Sequence, residues 1–327
     1  MQKVAIFYVV TGKYLVFWPD FLATAEQNLL PGCEVHYFVF TDAKTLPGED
    51  GVCPALSEKA LAALGGKAPA GAPAQNPATL ASRIHRIEQE AYPWPYATLK
   101  RFHMFRPLLP VLAEQGFSAA YFLNANYLVA RPILPQEFLP ANQDELVLCP
   151  NPGYYNKTPI HFPYDRNPSC RAYIPYTKGK VYVCGGTNGG GLAAYSRLIE
   201  TLDDRVEADL ADGIIAKWHD ESQINRYALD TSDAIRLLSP AFCAPEGWPD
   251  FPFEPAFLVR EKSSWLDVAS VKGAKKPEHF LAHKAKAQWE KLQPYLCLAR
   301  DTLLHRQRLY PRAAGPLPVQ RVRSIIA

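Results

Sequence analysis

No stretch of this 327-residue chain approaches the roughly 18 consecutive apolar residues that a membrane-spanning helix requires. Its first residues, MQKVAIFYVV, lack the basic, apolar and small-residue layout of a signal peptide, so they are expected to open a mature cytosolic domain. Cysteine occurs at 33, 53, 149, 170, 184, 243 and 297, and no two form a C-x-x-C pair. A disulfide framework and a structural zinc site are therefore not indicated, and a reduced compartment is expected. The histidines show no H-E-x-x-H spacing, which argues against a dedicated metal cage. G-x-G-x-x-G is absent, as is a Walker lysine, so dinucleotide and P-loop readings fail.

What is present is a globular composition, 48% apolar and 20% charged, with enough chain for one large domain or two small ones. The net charge of +3 hides an asymmetry. Residues 273–327 hold eleven Lys/Arg against three acids, a balance of +8, which leaves −5 for the rest. A basic end on an acidic body suggests contact with an anionic surface, although a solvated helix and loose tail would look the same.

Residues 3–10 are a short apolar run that predicts a buried strand. Helical spacing follows over 13–30, ended by Pro31-Gly32, and 35–40 predicts a second strand. Strand, helix, strand in this length implies a βαβ unit and a parallel sheet. Residues 57–80, rich in Ala, Gly and Pro, read as a surface insertion. A helix is expected near 98–114, then a strand over 119–123 running into Asn124-Ala125-Asn126. Residues 151–180 should be irregular, 181–183 a short strand, 184–191 a glycine turn and 192–216 a helix. Mixed helical spacing returns over 278–310.

The densest polar signal is WHDESQIN at 218–225. Asp220 with Gln223 three residues on predicts a capping box, which puts Glu221 in the first helical turn, where the backbone dipole favours its anion. A carboxylate beside a developing glycosyl cation is what glycosyl transfer needs, though acids also cluster at helix starts for stability alone. The glycines at 185, 186, 189, 190 and 191 let a ligand approach backbone, or simply turn a strand into a helix. Asn124-Ala125-Asn126 closes a strand, the place where open α/β sheets bind ligands. Nucleotide-sugar transferases often put Asp-x-Asp there to hold a divalent cation. Asparagine offers only a neutral carbonyl, so divalent metal binding is expected to be weak and no cofactor is expected.

These pieces, in this order, resemble glycosyltransferase family 6, the histo-blood-group A/B transferases and their bacterial relatives. The matching stretches are GKYLVFWPDFLATAEQNLLPGCEVHYFVFTD (12–42), WPYATLKRFHMF (94–105), YFLNANYLVARPI (121–133), NPGYY (151–155), PYDRNPSCRAYIP (163–175), VYVCGGTNGGG (181–191), WHDESQINRY (218–227) and RLLSP (236–240). The resemblance covers most of residues 3–272 apart from the insertion and implies one GT-A catalytic domain, a Rossmann-like α/β fold. The tail beyond 276 has no match, and its own charge and spacing predict a basic, largely helical extension over 273–327.

It further implies retaining α-1,3 transfer of GalNAc or Gal from a UDP-sugar to a β-galactoside, in some members one carrying α-1,2-fucose. Glu221 matches the catalytic carboxylate. Asp220 and Arg101 match donor-sugar contacts, and Val9, Val10, Thr11 and Tyr14 match the uracil and ribose pocket. Asn124, Ala125 and Asn126 stand where the family has Asp-x-Asp, as in bacterial members with Asn-x-Asn. Cys184, Gly185 and Gly186 align with the segment that discriminates GalNAc from Gal. Two glycines there leave room for an acetamido group, hence a lean to UDP-GalNAc, with UDP-Gal the alternative and a non-catalytic sugar-binding protein the rival of another class. Trp218 and His219 fall on the acceptor side, with Asn151 where mammalian members have His, and Glu246 as the acidic contact. Arg260, Lys262, Lys272, Lys275 and Lys276 are candidates to clamp the diphosphate, and the sequence does not choose among them. The expected partners are the donor, an oligosaccharide or glycolipid acceptor and an anionic inner-membrane surface, with no nucleic acid.

Overall fold

Strand β1 (Lys3–Val9) is buried on both faces because its side chains alternate between two cores. Val4, Ile6 and Tyr8 pack on one side with Trp18 and Phe21. Ala5 and Phe7 pack on the other with Phe102 and Phe105. The computed structural model describes residues 1–66, 78–231 and 233–267.

After β1 come β2 (Glu34–Thr41), β3 (Ile84–Glu88), β4 (Ala119–Leu123) and β5 (Tyr127–Val129). Then follow β6 (Glu145–Pro150), β7 (Val183–Gly191), β8 (Ala234–Leu237), β9 (Ala244–Pro245) and β10 (Phe257–Val259). Seven strands form one sheet in the order β3-β2-β1-β4-β7-β6-β8, and β5-β10-β9 form a small second one. The large sheet is parallel except that β7 runs antiparallel to β4 and β6. The result is the mixed α/β architecture expected of a GT-A domain.

Four helices position the site: α1 (Trp18–Asn28), α2 (Arg101–Phe105), α3 (Leu192–Ala211) and α4 (Asp220–Asp230). Proline and glycine explain where the sequence expectations miss. The 13–30 helix is a 3-10 turn over Gly12–Phe17 followed by α1, with Pro19 in the first helical turn where its missing N–H costs nothing. The 98–114 helix is broken into short pieces around Pro107 and Pro110. Helix α3 stops at Ala211 rather than 216, two residues before Gly213 at φ +70°.

The glycine run is a correction. It forms most of β7, a central strand, instead of a turn. A Cβ on Gly189 would sit 2.3 Å from a Tyr121 ring carbon, and one on Gly191 would sit 2.4 Å from the Asn142 carbonyl oxygen. Only glycine lets β7 lie this close to its neighbours.

The start of the insertion is ordered: Ser57 caps the Glu58–Ala63 helix, whose Ala60 is fully buried against Leu128 and Leu258. Residues 67–77 of that insertion lie outside the described residues. So do Lys272, Lys275, Lys276 and the basic segment 273–327. Among the described residues no helix is long and apolar enough to cross a membrane.

Candidate active site

The parallel strands β1 and β4 end side by side, and beyond them opens a cleft of about 210 Å³. Val9 and Thr11 line it from the end of β1, and Asn124 and Ala125 from the end of β4. Tyr14, Arg101 and Lys262 complete the set expected from the sequence, and the Lys262 ammonium lies 5.4 Å from the centre of the Tyr14 ring. Tyr92, Trp94 and Thr98 also line the cleft. None of the three was singled out from the sequence, although Trp94 and Thr98 lie in the matched stretch WPYATLKRFHMF. Val10 does not line it: its side chain is fully buried in the core, and its backbone bonds Phe40 and Thr41.

Arg101 connects the cleft to α4. Its guanidinium stacks on Phe122, 3.9 Å from the ring centre, and Nη1 donates to Asp220 Oδ2. Both residues are buried, and among the described residues Arg101 Nε has no hydrogen-bond partner. Burial raises the Asp220 carboxyl above its ordinary value, against the pull of Arg101. Asp220 is therefore the first residue of α4, bonded to Arg101, and the expected capping box does not form. The N-cap is His219, at a rare φ of +52°, with its ring edge-on to Trp94 at 4.8 Å. Gln223 donates instead to Asp209 at 2.8 Å.

Glu221 follows in the first turn, as expected. Its Oε1 accepts from the Tyr182 hydroxyl at 2.5 Å and its Oε2 from the Gly185 N–H at 2.7 Å. Burial pushes this carboxyl up to about 7, while the Tyr182 and Gly185 hydrogen bonds pull it down. Asn225, one turn on, clamps α4 to β7 by exchanging hydrogen bonds with the Val183 backbone at 3.0 and 2.9 Å. Tyr182 was missed. Its only signal is a tyrosine just ahead of the glycine run.

Gly185 and Gly186 join the two halves of the site. A Cβ on Gly185 would meet Glu221 Cβ at 3.2 Å and Asp220 Oδ2 at 3.6 Å, so this residue faces both carboxylates. Gly186 accepts from the Asn124 N–H at 2.9 Å. The space beside it is filled from inside: a Cβ there would lie 2.3 Å from the Tyr127 hydroxyl. The expectation that both glycines leave room for an acetamido group therefore fails at Gly186. The Cys184 side chain is buried in the core, where contact with the Cys149 and Cys243 thiols holds its own thiol low.

The Asn-x-Asn pair splits. Asn124 lines the cleft, with Oδ1 accepting from Ala125 N–H at 3.1 Å. Asn126 is buried, its Nδ2 donates to the Arg260 carbonyl at 2.5 Å, and among the described residues its Oδ1 has no hydrogen-bond partner. Arg260 is a correction too. Its guanidinium is 1% exposed and committed to Asp20 at 2.9 Å and the Phe17 carbonyl at 3.1 Å, so it cannot reach a diphosphate. Among the expected acceptor contacts, Asn151 donates its backbone N–H to the Tyr182 carbonyl, and Trp218 is 47% exposed. Glu246 accepts from the Glu261 N–H at 2.7 Å. Away from the cleft, His103, Asp203 and Glu207 bring three potential ligand atoms within 4.8 Å of one another. Arg106 and Lys100 already pair with those carboxylates.

A buried arginine–carboxylate pair, a second carboxylate beside glycine backbone and a cleft at the strand ends form one continuous arrangement. Residues 136–253 match the sequence pattern of glycosyltransferase family 6. The chain is 28% identical over 262 residues to the O-antigen biosynthesis glycosyltransferase WbnI of Escherichia coli, covering 80% of this chain and 96% of that protein. The chain is therefore similar to glycosyltransferase family 6 in this stretch and to WbnI along most of its length. It is also similar to the rat histo-blood group ABO system transferase 1, 29% identical over 72% of this chain. Human globoside alpha-1,3-N-acetylgalactosaminyltransferase 1 is 27% identical over 78% of it. The matches span 60% and 64% of those two mammalian proteins. The protein is a glycosyltransferase, which acts on a sugar donor and a glycan or glycolipid acceptor.

Proposed function

We propose that this glycosyltransferase moves GalNAc from UDP-GalNAc to the 3-hydroxyl of a β-galactoside with retention of the α configuration, without a divalent metal. The observation that carries the reading is the placement of Glu221 and Asp220 at the start of α4, both facing Gly185, with Arg101 reaching from Asp220 into the cleft. In the family, that is where the sugar of the donor lies. The uracil and ribose would sit over Val9, Thr11 and Tyr14, with Arg101 and Asp220 holding the sugar hydroxyls.

Transfer breaks the bond from C1 to the diphosphate oxygen, which leaves with the electron pair. The acceptor hydroxyl then bonds C1 from the same face and gives its proton to the departing phosphate. Glu221, ionised, stabilises the positive charge at C1 or forms a transient ester there; its place beside Gly185 serves either route. Lys262 is the cation that the described cleft offers to the diphosphate.

The donor set does not fit a divalent cation. Asn124 and Asn126 are neutral amides, and Asn126 is 2% exposed and turned to the Arg260 carbonyl. With Gly186 occupied by Tyr127, the preference for GalNAc rests on Gly185 alone, and UDP-Gal is the second reading. Competing the two donors on 2′-fucosyllactose in EDTA decides between them. We expect an α-1,3-GalNAc product by NMR, with UDP-GalNAc favoured about tenfold, the scale of one methyl-sized pocket difference. A product carrying only Gal would replace the donor assignment.

A further inference from the structure

Residues 244–258 (APEGWPDFPFEPAFL) carry three carboxylates and no Lys or Arg, and they hold aromatic rings at the surface. Trp248 is 40% exposed, and with Phe251, Phe253, Pro249, Pro255 and Leu258 it lines a groove of about 380 Å³ outside the donor cleft. The rings form a row: Trp248 to Phe251 is 5.6 Å and Phe251 to Phe253 is 5.6 Å between centres. Prolines at 245, 249, 252 and 255 fix the backbone φ through the segment, so the row is preorganised.

Packing contacts link this groove to the catalytic end of the molecule on two sides. Phe253 meets Tyr155 at 5.4 Å, and the preceding Tyr154 packs at 5.2 Å on Tyr182, the hydrogen-bond partner of Glu221. On the other side, Phe242, just ahead of the segment, is tied to β7 beside Gly186, its carbonyl accepting from Thr187 Oγ1 at 2.8 Å. The two flanking loops also carry Asn151 and Glu246.

We propose that this aromatic row is an extended acceptor subsite, which stacks sugar units beyond the galactose so that the preferred acceptor is a neutral oligosaccharide. It rests on the acceptor reading above and goes further in naming the acceptor's length and charge. Flat aromatic faces match the C–H faces of pyranoses. Asp250 and Glu254, both exposed, are acceptors for the hydroxyl donors that a sugar presents at its edges. The same carboxylates repel nucleic acid and anionic headgroups, so charge favours an uncharged ligand.

The test compares a β-galactoside disaccharide with a neutral tetrasaccharide sharing its terminal galactose, in wild type, Trp248→Ala and Phe253→Ala. The tetrasaccharide should show a KM at least about tenfold lower in wild type. Both variants should lose that advantage and keep wild-type kinetics on the disaccharide and on the donor. Equal KM values in wild type, or an advantage that survives both substitutions, would overturn the subsite. If neither acceptor is used, saturation-transfer NMR with UDP present separates the two ideas. Tetrasaccharide binding that Trp248→Ala abolishes supports the subsite while the transfer reading fails, and no binding overturns both. A wild-type dimer that Trp248→Ala dissolves would assign the face to a second copy of the chain and overturn the proposal.

Discussion

The environment of single residues sets the chemistry this protein can perform. Glu221 carries a carboxyl raised from 4.5 to about 7 by burial and held down by Tyr182 and Gly185. Its anion is the useful form, so kcat/KM should fall as pH drops through about 7. Removing the Tyr182 hydroxyl removes a hydrogen bond to the anion. Tyr182→Phe should therefore move the acid limb to higher pH and cost more activity at pH 6 than at pH 8; an unmoved limb would separate Glu221 from the rate. The same shift links to folding. The carboxyl binds its proton more tightly folded than unfolded, so its stabilising contribution is full below 4.5 and is lost as pH rises through about 7. Gly186 gives a second test. Gly186→Ala should destabilise the protein by about 1–3 kcal/mol through the clash with the Tyr127 hydroxyl. Adding Tyr127→Phe should recover much of that loss in thermal denaturation, and no recovery would mean the space is not filled from within.

At the scale of elements, hydrophobic patterning was the most legible signal. Strands β1, β2 and β4 follow their apolar runs, and the helical start of WHDESQIN falls one residue before the place the capping-box spacing gave it. The glycine run was misread, because a strand of glycines has no periodicity and its cause, the crowding of Tyr121 and the Asn142 carbonyl, lies on other elements. Asp220 looked like a cap because acid-then-Gln spacing is local, whereas its partner Arg101 is 119 positions away. Arg260 looked like a diphosphate clamp for the same reason: its charge was visible, and its burial against Asp20 of α1 was not. These placements predict opposite outcomes for two neighbouring cations. Arg260→Met should leave Asp20 unpaired and cost about 3–5 kcal/mol of stability. Lys262→Met should leave the melting temperature near wild type and raise the KM for the UDP-sugar severalfold. Reversed outcomes would exchange the two roles.

Across the whole molecule, the site is assembled by sheet order. Strands β1 and β4 are neighbours although β2 and β3 intervene in sequence, and β7 inserts antiparallel beside β4, which carries Gly185 and Gly186 to Asn124. The family resemblance made most of this constellation legible, since Glu221, Asp220, Arg101 and the cleft residues could be matched motif by motif. What it could not carry over was the fate of residues whose role depends on packing, namely Val10, Asn126, Gly186 and Arg260. The central claim joins one carboxylate to metal-free transfer. Its most direct test is the initial rate of transfer from UDP-GalNAc to 2′-fucosyllactose, for wild type and Glu221→Gln, in EDTA and in Mn²⁺. Wild type should work equally well in both, and Glu221→Gln should fall by about a thousandfold while still binding UDP. A variant with near-wild-type turnover, or a wild type silent in EDTA and revived by Mn²⁺, would contradict it.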